Sequence, residues 1–132
     1  MSTEAAETAP SGLEQLRAFA SSIQRKRGMG NTLRFAIDHI EEGRVIFTGH
    51  PDEDVYNPIG TVHGGYAATL LDSALGCAVH SKLQAGQGYT TLELKINYHR
   101  ALTTGSGPVV AEGKVITIGR RVAFAEGTLK DA

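Results

Sequence analysis

A chain of 132 residues has the commonest length for one domain with its own core. Its hydrophobic share of 41% is ordinary, and the lack of any long unbroken apolar stretch argues against a membrane span. Thirteen Lys and Arg against fourteen Asp and Glu leave a formal charge of -1, so charge gives no reason to expect nucleic acid or an anionic membrane as partner, and a small organic substrate fits better.

Residues 1–10 are Ala, Glu, Thr and Ser with one Pro after the initial Met, too little apolar surface to offset the entropy of ordering, and read as a flexible tail. They also lack the basic and apolar regions of a secretion signal, and the one cysteine, Cys77, cannot close an intrachain disulfide, so the cytoplasm is the expected compartment. Residues 11–132 are expected to form a single domain. Ser11 is placed to cap a helix carrying Leu13, Leu16, Phe19, Ala20 and Ile23 at helical spacing. Arg25, Lys26 and Arg27 suit its C-terminal end, so it should run to about Arg27, with Gly28 and Gly30 ending it. Leu33, Phe35 and Ile37 then alternate with polar or small residues as in a half-buried strand. Glu41, Glu42 and Gly43 turn the chain into a second strand, Arg44 to Gly49, giving an antiparallel hairpin.

The stretch HPDEDVYNPIGTVH, residues 50–63, suits neither helix nor regular strand and reads as a long loop. It leads into a helix from Gly64 to about Leu83, with Ala67, Leu70, Leu71, Ala74, Leu75 and Ala78 on one broad face. Beyond it, Leu92, Leu94, Ile96 and Tyr98 alternate with polar residues in the clearest strand signature of the chain. Two more strands are expected at about Pro108–Ile118 and Arg121–Leu129, joined tightly through Gly119 and Arg120.

The loop-to-helix junction carries the most chemistry. Gly64 and Gly65 open a helix whose first amides have no partner within it, and glycine lets a ligand approach the backbone, so this end suits the oxygen of a carbonyl that becomes an oxyanion. Asp72, on the same helix, shares its face with Gly65, Ala68, Thr69 and Gly76, whereas Leu71 and Leu75 point toward the core face. A carboxylate in an apolar run costs stability unless it is paired or useful, and one facing small residues can serve as nucleophile or as general base on water.

The segment NPIGTVHGGYAATLLDSALG, followed downstream by TTLELKINYHRAL, resembles the hot-dog-fold acyl-CoA thioesterases of the phenylacetate degradation type over roughly residues 30–130. The resemblance implies an α+β hot-dog fold, an antiparallel sheet wrapped around the long helix, here with an extra N-terminal helix. It implies an acyl-CoA hydrolase in which Asp72 attacks the thioester or activates water, Gly64 gives its amide to the carbonyl, Asn57 helps position substrate or water, and Thr91 orients the nucleophilic water. It also implies a dimer, often doubled to a homotetramer, in which Asn57 and Gly64 face the Asp72 and Thr91 of the partner. The family pattern normally continues after RVAFAEGTLKDA with a turn and a last strand, whereas this chain stops at Ala132, so either the sheet has five strands here or the given chain lacks a natural C-terminal end.

His63 suits either proton transfer or, more simply, a hydrogen bond that holds the loop. The other histidines and Cys77 lack the spacing of a metal site, so no metal is expected, and no cofactor beyond the coenzyme A of the substrate. Cys77 points about 140° from Asp72 and reads as core. Gly65, Tyr66, Arg120 and Arg121 are candidate substrate contacts, the two arginines for coenzyme A phosphates. Two alternatives stay open: an acyl-thioester binding module without turnover, and a dehydratase of the same fold, which would call for a spaced His and Pro-Gly where this chain has adjacent His-Gly-Gly. Aryl and medium-chain acyl groups both remain open.

Overall fold

In the computed structural model, which describes residues 9–22 and 27–132, the order is α1 (Gly12–Ser21), α2 (Met29–Leu33), β1 (Phe35–Glu41), β2 (Arg44–Gly49), α3 (Gly64–His80), β3 (Val109–Ile118) and β4 (Ala123–Lys130). Single turns of 3-10 helix occur at Glu53–Val55 and Thr104–Ser106. The four strands form one antiparallel sheet in the order β1-β2-β3-β4, with the long helix α3 across one face. This is the α+β arrangement that the resemblance implies, with the additional N-terminal helix in place.

Helix α1 begins as its sequence predicts. Ser11 Oγ accepts from the Glu14 amide and the Glu14 carboxylate accepts from the Ser11 amide, a capping box that satisfies two otherwise orphaned donors. The helix then docks on the far end of α3, where the Gly12 amide donates to the Leu83 carbonyl at 2.9 Å and Gln15 meets His80 at 3.0 Å. Its end is earlier than expected. Ser21 Oγ donates back to the Arg17 and Ala18 carbonyls, and Ser22 is extended, a local competition that serine offers to helix propagation. Arg27 is outside any helix, while Ile23, Arg25, Lys26 and residues 1–8 of the expected tail lie outside the described residues.

Leu33 closes the short helix α2 instead of opening a strand. Arg34 then takes a left-handed turn, φ 60°, and its guanidinium is anchored by Asp52 at 2.7 Å, so β1 starts only at Phe35. The β1–β2 hairpin turns at Glu42 and Gly43, and β2 occupies the expected span. The β3–β4 turn is closed by the Gly119 amide donating to the Val122 carbonyl.

The core lies between α3 and the sheet. Val45 and Phe47 of β2, Val109 and Ala111 of β3, and Tyr66, Leu70, Ala74 and Ala78 of α3 are buried there. Full burial of Val45, Leu70 or Val109 is worth about 1.5–3 kcal/mol each relative to exposure. Helix and sheet meet most closely at Gly113, where a Cβ would stand 2.5 Å from the Ala74 carbonyl carbon and oxygen.

The segment with the clearest strand signature is not in the sheet. Residues 90–99 are in no strand ladder, and Leu92 is 80% exposed. Alternation prepares a strand but does not supply a neighbour, and an open groove of about 2440 Å³ separates this segment from β4. Arg100 and Asp131 tie the two together at one end through an ion pair. The sheet therefore has four strands and not five among the described residues.

Gly113→Ala should lower the unfolding free energy by about 2–3 kcal/mol, because the methyl must push α3 off the sheet. Urea unfolding followed by circular dichroism checks this, and an unchanged midpoint would contradict the close approach.

Candidate active site

The helix start is held by its own preceding residue. His63 is the N-cap of α3: its Nδ1 accepts from the Gly65 amide at 2.8 Å, and its carbonyl accepts from the Tyr66 amide at 2.9 Å. Among the described residues, the Gly64 amide alone of these three has no partner. One donor is thus left pointing out of the first turn, where the helix dipole favours negative charge. The loop before it is cross-linked by its own hydrogen bonds. Asn57 Oδ1 accepts from the Ile59 and Thr61 amides, Asn57 Nδ2 donates to Thr61 Oγ1, and the His63 amide donates to the Val55 carbonyl.

Two turns further on, Asp72 Oδ1 accepts a hydrogen bond from Thr91 Oγ1 at 2.8 Å. Thr91 belongs to the extended segment outside the sheet, which runs back along α3 in the opposite direction. Its Tyr89 hydroxyl lies so close over Gly76 that a methyl there would overlap it, Thr91 reaches Asp72, and Tyr98 Oη donates to the Gly64 carbonyl at 2.7 Å. Three side-chain hydroxyls on one segment therefore touch α3 at three levels. The groove between this segment and β4 is floored by Ala67, Leu71, Leu75 and Val79, with Gly64 and Asp72 on its lining. Its floor is apolar, so an apolar group can bury there beside the Asp72 carboxylate.

The expected site residues separate into groups. Asp72 and Thr91 come together, and Gly64 lines the same groove. Eight residues of helix nevertheless put Gly64 about 12 Å from Asp72 along the axis. His63 and Asn57 spend their hydrogen bonds on the loop and helix start. The Gly65 amide is taken by His63. Tyr66 is not a groove residue: it is 3% exposed on the sheet side of the helix, its hydroxyl against Gly49, because its position falls on the core stripe with Leu70 and Ala74. Arg120 and Arg121 line the groove at the β3–β4 turn and are exposed. Leu71 floors the groove as well as flanking the core, and Leu75 floors it beside Gly127 of β4. Tyr89 and Tyr98 were not among the expected site residues. Their only trace in the sequence is a pair of tyrosines on the segment that also carries Thr91.

Cys77 packs against the core, and burial, reinforced by the nearby Asp72 carboxylate, pushes its thiol up to about 11. Burial, with Cys77 and Asp72 nearby, pushes Tyr89 up to about 12. As the only cysteine, Cys77 can be followed in the whole protein. Its alkylation by iodoacetamide should be slow at pH 8 and rise toward pH 11, whereas the urea-unfolded chain should alkylate with a midpoint of about 8.5. Equal pH profiles for the folded and unfolded chain would contradict a buried thiol.

Comparison with known proteins fits this arrangement. The chain is 39% identical over 69 residues to an inferred esterase of Halobacterium salinarum, a stretch that is 51% of this chain and 44% of that protein, so the match spans less than half of that relative's length. A phenylacetic acid degradation-related protein of Ralstonia eutropha superposes with a TM-score of 0.78 over 88% of both chains at 21% identity, a likeness of fold. A Streptococcus mutans protein solved with acetyl-CoA bound has a TM-score of 0.67 and 26% identity, covering 84% of this chain and 82% of that one. The family model of the thioesterase superfamily matches residues 59–132, which include α3, Asp72 and Thr91. The chain belongs to the thioesterase superfamily.

Proposed function

We propose that this protein hydrolyses acyl-CoA thioesters, with Asp72 as the catalytic carboxylate and the Gly64 amide as the oxyanion donor. The observation that carries the reading is the Thr91–Asp72 hydrogen bond at 2.8 Å on the wall of the groove. A hydroxyl on Oδ1 fixes the carboxylate's orientation and leaves Oδ2 for the substrate or for a water. Asp72 attacks the thioester carbon or draws the proton from an attacking water, and the carbonyl oxygen becomes an oxyanion on the Gly64 amide. When the tetrahedral centre collapses, the carbon–sulfur bond breaks and coenzyme A leaves as a thiolate; where Asp72 is itself the nucleophile, water then cleaves the acyl anhydride left on it, releasing the acid and restoring the carboxylate. Because a thiolate leaves readily, no strong acid is required, which suits a His63 occupied by the helix cap.

The separation of about 12 Å along α3 is too long for one carbonyl to span from the Gly64 amide to the Asp72 carboxylate of the same chain. This supports a site shared between two subunits, in which Gly64 of one chain faces Asp72 and Thr91 of the other, within a dimer or a dimer of dimers. Arg120 and Arg121, exposed on the groove lining, suit the phosphates of coenzyme A, and the apolar floor suits an aryl or medium-chain acyl group. The acetyl-CoA held by the Streptococcus mutans relative supports the substrate class. No cofactor enters this reaction, since coenzyme A is part of the substrate.

Release of free coenzyme A from a panel of aryl- and alkyl-CoA thioesters tests the reading. Wild type should turn over at least one class, Asp72→Asn should lose about 10³-fold in kcat with folding intact, and Thr91→Val about 10-fold. Binding without turnover by wild type would point instead to an acyl-thioester binding module, and near-wild-type Asp72→Asn activity would remove Asp72 from the mechanism.

A further inference from the structure

Gly64 is a demanding place for an oxyanion donor. It is the first residue of α3, it has no side chain to pin it, and its amide has no partner among the described residues. A donor stabilises developing charge only if its direction is set before the charge appears. On the inner side, His63 holds the next amide, that of Gly65. On the outer side, the contact is with Tyr98.

We propose that Tyr98 is a positioning residue for the thioester carbonyl: its hydroxyl and ring clamp Gly64 so that the free amide keeps a fixed direction. The role rests on the hydrolytic reading given above. The Tyr98 hydroxyl donates to the Gly64 carbonyl at 2.7 Å, and its ring lies 3.3–3.4 Å from where a Gly64 Cβ would stand. That carbonyl begins the helix ladder and accepts the amide four residues on, so the hydroxyl adds orientation and does not rescue an orphaned acceptor. The Gly64 N–H shares a peptide plane with the His63 carbonyl, which the Tyr66 amide holds at 2.9 Å; Tyr98 holds the next plane through the Gly64 carbonyl and covers the α-carbon between them, so the two planes flanking Gly64 are fixed together. Burial does not account for the tyrosine's place, since Tyr98 is 59% exposed on a segment outside the sheet. The same segment carries Thr91, so one extended strap orients the carboxylate at one end and the oxyanion donor at the other.

Tyr98→Phe keeps the ring and removes the hydroxyl. In full-length protein it should lower kcat for acyl-CoA hydrolysis roughly tenfold while KM and melting temperature stay close to wild type. The acid limb of the pH profile should not move, because Tyr98 does not touch Asp72. Combined with Gly64→Ala, the loss should be less than the product of the two single losses. Wild-type turnover with an unchanged kcat in Tyr98→Phe would overturn this role and leave the hydrolytic reading intact. So would a loss matched by a fall in melting temperature or by an equal rise in KM. Absence of turnover by wild type on every thioester would overturn the hydrolytic reading and this role with it.

Discussion

Helix α3 can lie where it does only because Gly113 offers no side chain to the Ala74 carbonyl. That contact sets both the height of the helix over the sheet and its roll about its own axis. With Ala74 against β3, the period of the helix commits Tyr66, Leu70 and Ala78 to the core. The same rotation turns Leu71, Asp72, Leu75 and Gly76 toward the groove. A carboxylate would be costly on the first stripe and is tolerable on the second, where it meets a hydroxyl and water. The site is thus a consequence of one close approach two residues from the catalytic candidate.

The second constraint is the strap formed by the segment after the helix. Without a ladder of its own, it is fastened to α3 by side-chain hydroxyls and to β4 by the Arg100–Asp131 pair. Hydrogen bonds of this kind contribute about 0.5–1.5 kcal/mol each, more when one partner is charged, so the segment's position depends on a few contacts. Those contacts are also the ones that orient Asp72 and Gly64. The same few contacts therefore both hold the strap and touch the site.

Much of this was legible in the residues. The capping serine of α1, the span of β2, the start of α3 and the placement of Asp72 off the core stripe of that helix follow from local rules of capping, period and turn chemistry, which act over a few neighbours. What failed depended on partners far along the chain. The strand pattern of Leu92 to Tyr98 is real as alternation, yet pairing needs an edge within reach, and the groove intervenes. Leu33 fits a strand by pattern, but the Arg34–Asp52 pair delays the strand. Tyr66 beside two glycines suggested a ligand contact, whereas the roll set by Gly113 buries it. Tyr89 and Tyr98 were invisible as site residues because nothing local tells which helix a later segment will run along.

The central claim is that the oxyanion donor and the carboxylate of one site come from different chains. It is tested most directly by mixing two variants that each lack one of the two groups, Asp72→Asn and Gly64→Pro, which removes the amide N–H at the first position of α3, unfolding them together and refolding. If the site is shared, a mixed dimer holds one site with both groups intact, and an equal mixture should recover about one quarter of wild-type coenzyme A release. If both groups act within one chain, every site in the mixture carries a defect, and activity no higher than the mean of the two variants would contradict the account.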